Sequence, residues 1–229
     1  MNNINLMILY EDNHIIVCIK PPGVLSQPDG KNIPDMLTLL KEYIRAKYSK
    51  PGNVFVGLVH RLDLNVGGVM VFAKTSKAAA RLSESVRLHS LKKMYYAVID
   101  GYLPMGTSGV FEDFIAKDET MRVGYITDEF NGKASKLAYK VIENSNQSSK
   151  PLTLIEIELI SGRFHQIRLQ FSSRGLPLYG DTKYGNSDSK VATDLGLYAF
   201  RLEIVHPISK EMMIFEKAPH FGVFTKFNT

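Results

Sequence analysis

The chain has 229 residues, of which 45% are hydrophobic and 22% charged, an ordinary globular composition that excludes a largely disordered protein. Its single cysteine, Cys18, rules out a disulfide within the chain, and no apolar run approaches the roughly 20 residues that span a bilayer. The net charge of +5 permits a polyanionic partner without demanding one, because phosphate binding needs clustered cations. The start, MNNINLMILYEDN, lacks the basic flank of a signal peptide, so a cytoplasmic location is expected.

NLMILYEDNHIIVCIKPPGV reads as two strands joined at Asp12-Asn13, with Pro21-Pro22-Gly23 ending the second. Cys18 lies inside the apolar run IIVCIK and reads as a small buried hydrophobe. In PDMLTLLKEYIRAKY, Met36, Leu40 and Ile44, with Leu37, form the stripe of a helix that Pro51-Gly52 stops. VFVGLV, 54–59, reads as a strand. The loop HRLD follows, then a strand GVMVFAK. SKAAARLSESVRLHS is a second helix with Ser76 as its expected N-cap.

MYYAVIDGYL is a strand by its aromatic and β-branched content. Residues 108–160 read as an antiparallel meander, with turns at Asn131-Gly132 and over Asn144 to Lys150. In LTLIEIELI, Leu154, Ile155 and Ile157 stand around Glu156 and Glu158, so one face is expected to be wetter. FHQIRLQFSSRG is a third helix closed by Gly175, and LYAFRLEIVHP with EMMIFEK forms a hairpin. The order is neither strict βαβ alternation nor all-β. It predicts an α+β single domain with a mixed, mostly antiparallel central sheet flanked by helices.

Three segments hold residues suited to chemistry. In GLVHRLDLNVGGVMVFAKT, 57–75, Asp63 follows His60 and Arg61 in a loop between strands, with Gly67-Gly68 after it. Asp63 there suits a nucleophile, a general base or a metal ligand, and equally a capping or salt-bridging loop aspartate. In SGRFHQIRLQF, Phe164, Ile167 and Phe171 share an apolar helix face, and His165 and Arg168 neighbour one another on a more polar, partly exposed face. In KKMYYAVIDGY, Tyr95 and Tyr96 face opposite sides of a strand; one is core and the other is placed to stack on a base. GLPLYGDTKYG, with Asp181, Lys183 and Tyr184, fits no phosphate-cradling motif. GxGxxG, Walker, HExxH and cysteine–histidine patterns are missing, so neither a nucleotide cofactor nor a metal is expected. Glycosidase chemistry needs a second, opposed carboxylate, and Asp63 has none at a recognisable spacing.

Together these segments resemble the RluA-type pseudouridine synthases. YEDNHIIVCIKPPGVLSQPD is similar to the family's first motif, GLVHRLDLNVGGVMVFAKT to its catalytic motif, and KKMYYAVIDG to its lysine–tyrosine strand. SGRFHQIRLQF followed by GLPLYGDTKYG resembles its last catalytic motif, and YAFRLEIVHPISKE its closing strands. Five matches in the right order carry far more weight than any one. The chain departs from the family at Val66-Gly67, where Thr-Ser is common, at Phe164, where Thr is often found, and at Gln170, where His is.

The resemblance implies isomerisation of uridine in RNA to pseudouridine, with no cofactor or metal. It implies Asp63 as nucleophile, Arg168 as the cation that opposes the burial-driven rise of a carboxylate pKa, and Tyr95 stacked on the target base. Arg61, His60, His165, Lys93, Gln166 and Arg163 are the expected RNA-binding residues. The implied partner is structured RNA, a stem-loop of rRNA or tRNA, whose uridine is extruded from its stack. The glycines after Asp63 are expected to leave room for that RNA. One catalytic domain over 1–229 is expected, its motifs running from about 8 to 220. No separate small N-terminal RNA-binding module is expected, and a monomer is the expected state. The competing reading is a non-catalytic RNA-binding or ribosome-assembly protein on the same fold; a nucleosidase or nuclease using Asp63 and His60 is a third.

Overall fold

A computed structural model describes residues 6–31, 33–49, 51–145, 150–185 and 194–228. In chain order the elements are β1 (Met7–Glu11), β2 (Ile15–Lys20), α1 (Met36–Lys47), β3 (Gly57–Leu58), β4 (Gly67–Ala73), α2 (Ser76–Arg87) and β5 (Lys92–Asp100). Then come β6 (Ser108–Asp118), β7 (Val123–Thr127), β8 (Lys133–Ser145), β9 (Leu152–Leu159), α3 (Gln166–Ser172), β10 (Leu197–Val205), β11 (Met212–Glu216) and a 3₁₀ turn, Gly222–Lys226. They form two compact units: Met1–Leu91 with Arg201–Lys217, and Lys92–Phe200 with Ala218–Thr229.

In the first unit, β1 and β2 form a hairpin at the expected Asp12-Asn13 turn. Asp12 closes it by accepting from the backbone N–H of His14 and Ile15, each at 2.7 Å. β2 runs antiparallel to β4, from Ile15 opposite Ala73 to Lys20 opposite Gly68. Ile15, Val17, Val69, Val71 and Ala73 join Ala78 and Leu82 of α2 and Leu202 and Ile204 of β10 in one core. The alternate residues Ile16, Cys18, Met70 and Phe72 are equally buried. Burial on both faces is why these strands read as continuous apolar runs. Burial also pushes the Cys18 thiol up to about 12, so it packs as the small hydrophobe expected.

Helix α1 begins where Asp35 accepts from the Thr38 N–H at 3.0 Å, and its buried stripe is Met36, Leu40 and Ile44. It ends at Lys47, short of Pro51, with Ser49 left-handed (φ 48°). Two local expectations are corrected. The strand expected over 54–59 pairs only at Gly57–Leu58; Val54 and Val56 are buried without a ladder. The cap of α2 is Thr75 and not Ser76. Thr75 is extended (φ −138°, ψ 152°) and its Oγ1 accepts from Ala78 N–H, whereas Ser76 is already the first helical residue.

In the second unit the strands run β5-β9-β8-β6-β7, each neighbouring pair antiparallel. This corrects the simple meander. β6 sits between β8 and β7, so β7 pairs back on β6 and not onward to β8. The expected turn at Asn131-Gly132 is present, with Asp128 accepting from the backbone N–H of Phe130 and Asn131 at 3.0 Å each. The turn expected over Asn144 to Lys150 lies mostly outside the described residues, since β8 continues to Ser145. One sheet face packs Val98, Leu152 and Leu154 against Tyr198, Phe200, Val223, Phe224 and Phe227. On the other, Phe171 of α3 meets Phe111 and Tyr139 edge-on at 5.0 and 5.5 Å. β10 and β11 are the expected antiparallel hairpin, Arg201 opposite Glu216. The α+β class and the mostly antiparallel sheet expected from the sequence are both present, and no described helix is long and apolar enough to cross a membrane.

Candidate active site

In the first unit the loop carrying Asp63 is held on both sides of that residue. Before it, Leu62 is gripped by Ser26: the Ser26 hydroxyl donates to the Leu62 carbonyl at 2.8 Å and accepts from the Leu62 N–H at 3.0 Å. After it, the Leu64 carbonyl accepts from Lys20 Nζ at 3.0 Å and from the Gly23 N–H at 2.9 Å. The Asp63 carbonyl itself accepts from the Val66 N–H at 3.1 Å. The peptide backbone is therefore fixed while the Asp63 side chain is only half-buried. A reactive group needs this kind of support, because small misplacements are costly in rate.

Lys20 is fully buried, and its ammonium donates to the carbonyls of Val24 (2.6 Å), Leu64 and Pro21 (3.1 Å). Burial pulls Lys20 down to about 7, and the Asp63 carboxylate opposes that shift. His60 Nε2 accepts from the Val71 N–H at 3.1 Å, so that edge of the ring anchors the loop to β4. Arg61 is exposed. Gly67 and Gly68 are both buried within β4, with Gly68 at φ 134° opposite Lys20.

In the second unit Tyr95 is only 5% exposed. It lies opposite Ile157, which lies opposite Tyr139, so the three share the face on which α3 packs. Tyr96, on the other face, stacks on Phe200 with centroids 3.8 Å apart. Lys93 is on the Tyr95 face, and a methyl group at Gly162 would stand 3.3 Å from its Nζ. Burial lowers the Lys93 pKa.

The third helix is shorter and drier than expected. It begins at Gln166, and His165 precedes it in the left-handed region (φ 50°), so His165 and Arg168 are not neighbours on one helix face. Nor is that face partly exposed: Gln166 through Phe171 are all buried. Gln166 accepts from Ser161 Oγ (2.8 Å) and the Arg163 N–H (3.0 Å) and donates to Gln170 (3.0 Å), which donates to Asp113 (2.6 Å). Its amide is thus committed to the fold, against the expectation of an RNA contact. Arg163 Nε donates to the Ala134 carbonyl at 3.0 Å.

Arg168 makes a two-pronged pair with Asp181: Nε to Oδ2 at 2.8 Å and Nη2 to Oδ1 at 2.7 Å. Burial pushes the Asp181 carboxyl up, but Arg168 and the N–H groups of Tyr184 and Lys183 more than offset it, and its pKa is lowered. The ring of Tyr184 lies 5.2 Å from the guanidinium carbon, and its hydroxyl meets His165 Nδ1 at 2.9 Å. Burial, followed by the charges of Arg168 and Lys183, drops His165 to about 3, so the ring is neutral.

Sequence reasoning passed over Lys20 and Ser26 and left Asp181 and Tyr184 without partners. A lysine ending the apolar strand IIVCIK is a signal for the first, and an aspartate between the glycines of GDTKYG for the third. Ser26 has none.

Residues 14–173 match the RNA pseudouridylate synthase family. The uncharacterized RNA pseudouridine synthase YhcT of Bacillus subtilis is 34% identical over 92% of this chain and 68% of its own length. The dual-specificity RNA pseudouridine synthase RluA of Haemophilus influenzae is 32% identical over 94% of both chains. Against the ribosomal large subunit pseudouridine synthase D of Nitrosomonas europaea, at 32% identity, this chain spans only 62% of the relative's length. A solved structure, Human RNA Pseudouridylate Synthase Domain Containing 1, superposes with a TM-score of 0.74 at 22% identity, covering 95% of this chain and 84% of that one, which speaks for the fold. The family match runs through the loop of Asp63, the strand of Tyr95 and the helix of Arg168, and with the relatives it makes this chain a member of the RNA pseudouridylate synthase family, RluA type, a family of isomerases.

Proposed function

We propose that this protein isomerises specific uridines of structured RNA to pseudouridine, with Asp63 as the nucleophile acting on a uridine turned out of its stack. The observation that carries the reading is the fixed backbone around Asp63, gripped at Leu62 by Ser26 and at Leu64 by Lys20 and Gly23. A loop aspartate that only capped or bridged would not call for such support.

The reaction breaks the bond from ribose carbon 1 to the ring nitrogen and remakes it to ring carbon 5; carbon 5 gives up its proton and the freed ring nitrogen takes one up. It is neither a redox change nor a net hydrolysis. Attack on the sugar, attack on the base and elimination through a glycal all start from an ionised Asp63. The attraction between Asp63 and the buried Lys20 favours that state, as the upward pull of Asp63 on Lys20 indicates. In this reading Arg168 supplies a second cation and Tyr95 stacks on the target base. Arg61, exposed beside Asp63, meets RNA phosphate or the vacated stack, with Lys93 and Arg163 as further contacts. His60, His165 and Gln166 hold these groups in place. Extrusion of the uridine costs on the order of a few kcal/mol.

The relatives' names, one of them a ribosomal large subunit enzyme, support rRNA among the targets, and a stem-loop of rRNA or tRNA acted on by a monomer in the cytoplasm completes the proposal. The test is Asp63→Asn, followed by tritium release from RNA labelled at uracil carbon 5. Loss of release well beyond tenfold is expected. Activity within roughly tenfold of wild type, about 1.4 kcal/mol of barrier, would sink the nucleophile assignment. Normal RNA affinity with no pseudouridine formed on any cellular RNA would favour the non-catalytic binder.

A further inference from the structure

We infer that Phe164, with Lys117 over its ring, is a stacking site for an unpaired RNA base near the reacting uridine, and so helps decide which RNA is bound. The inference rests on the synthase reading, which makes RNA the partner of this face.

Consecutive side chains of an extended chain point apart. At Phe164 and His165 they do not. The left-handed backbone of His165 (φ 50°) lets the two rings stack, with centroids 3.8 Å and planes 21° apart. The stack is backed by fixed groups. His165 Nδ1 meets the Tyr184 hydroxyl at 2.9 Å, and that hydroxyl accepts from the Gly124 N–H at 2.7 Å. Gly124 also lets the β6–β7 hairpin come close, since a methyl group there would stand 3.2 Å from the Phe164 carbonyl oxygen. The Phe164 ring is thus held from behind and yet only half-buried. A platform fixed in advance loses little freedom when a base lands on it.

With His165 against one face, the Lys117 ammonium, 5.0 Å from the Phe164 centroid, stands over the other. The carboxylate partner of Lys117 is the exposed Glu119. Neither contact binds Lys117 strongly, because water screens exposed ion pairs and weakens exposed cation–π contacts. A base can take the ring face from the ammonium, and the flexible lysine can follow to a phosphate of the same strand. The surrounding charge suits a polyanion. Arg168, Lys183 and Lys117 all oppose a proton on His165; Asp181 favours one but is itself paired with Arg168. The two rings therefore stay neutral in a cationic setting, the combination that single-stranded nucleic acid recognition uses. A phenylalanine that only filled a gap would need neither the half-open ring nor the cations.

The chain contains no tryptophan, so Phe164→Trp puts a single indole emitter on the platform. Unmodified total RNA should quench its fluorescence about twofold or more, because a stacked base touches the indole. Polyphosphate, which has the charge without bases, should leave it unchanged. Phe164→Leu keeps apolar bulk and loses the ring. In tritium release from unmodified total RNA labelled at uracil carbon 5, its half-saturating RNA concentration should rise about tenfold, whereas Phe164→Tyr should stay within about twofold of wild type. Lys117→Gln should lower the slope of log affinity against log salt by about one phosphate contact. Thermal melting establishes which variants fold. An indole that RNA leaves as bright as polyphosphate does overturns the inference. So does a folded Phe164→Leu protein that half-saturates within about twofold of wild type, or a loss that folded Phe164→Tyr shares. An unchanged salt slope in Lys117→Gln overturns the part given to Lys117. Wild-type protein that releases no tritium from any RNA removes the synthase reading instead, and quenching of the indole still decides whether the ring meets a base.

Discussion

Ser26→Ala tests whether the Asp63 loop is held as described. The hydroxyl does two jobs on one residue, donating to the Leu62 carbonyl at 2.8 Å and accepting from the Leu62 N–H at 3.0 Å, and Ser26 is 4% exposed. Alanine removes a single oxygen, so the packing loss is small. What remains is a buried donor and a buried acceptor without partners, each costing about 1–3 kcal/mol. The loop beside half-buried Asp63 can relax towards water, so the lower half of the sum applies, about 2–4 kcal/mol. Hydrogen exchange at the Leu62 amide reads the event directly, because its protection in wild type comes from Ser26. A cost of about 1–3 kcal/mol on that donor alone predicts exchange faster by roughly 5–150-fold. Urea unfolding gives the total. Threonine at the same position retains the hydroxyl and should restore most of the protection. If Leu62 exchanges less than about threefold faster in Ser26→Ala, with stability unchanged within about 0.5 kcal/mol, Ser26 does not hold the loop.

The other expectations concern buried ionisable groups. Lys20 at about 7 lies below the roughly 10.4 of an unfolded lysine, so the folded state binds fewer protons and its burial costs least at high pH. Wild-type stability should therefore gain on Lys20→Met as pH rises from about 7 towards 10; a stability difference flat across that window would contradict this. The same substitution removes the donor to the Val24 carbonyl and one of the two to Leu64, and should lower turnover along with it. His165 is held near 3, against about 6.5 unfolded, first by burial and then by Arg168, Lys183 and Lys117, with Asp181 opposing. Its contribution to stability is complete above pH 6.5 and is lost as pH falls towards 3. His165→Gln should flatten that part of the acid-stability curve, and the ring protons of His165 should show no titration above about pH 4 by NMR. An ordinary midpoint near 6.5 would show that the ring is not buried among those cations.

What the sequence by itself determined is local. The stripe of α1, the Asp12-Asn13 and Asn131-Gly132 turns, and the closing hairpin follow from periodicity and turn chemistry within a few residues. Asp63, Tyr95 and Arg168 were singled out by the family resemblance, since each sits in a short stretch that can be compared as a unit, and their roles are part of the proposal. Even locally, one position separates Thr75 from Ser76 as cap, because either hydroxyl satisfies the pattern and only backbone dihedrals choose between them. Tertiary structure decided which polar group each residue meets. Ser26 reaches Leu62 across 36 residues, Lys20 reaches Leu64 across 44, and Arg168 reaches Asp181 across 13 with a glycine-bounded turn between. Such pairings leave no periodic trace. A buried lysine or aspartate is tolerated only because its distant partner satisfies it, and that partner is set by the closing of the chain. The burial of α3 was hidden for the same reason: the face of His165 and Arg168 read as partly exposed, and only the folded chain brings Ser161, Arg163 and Asp113 onto Gln166 and Gln170.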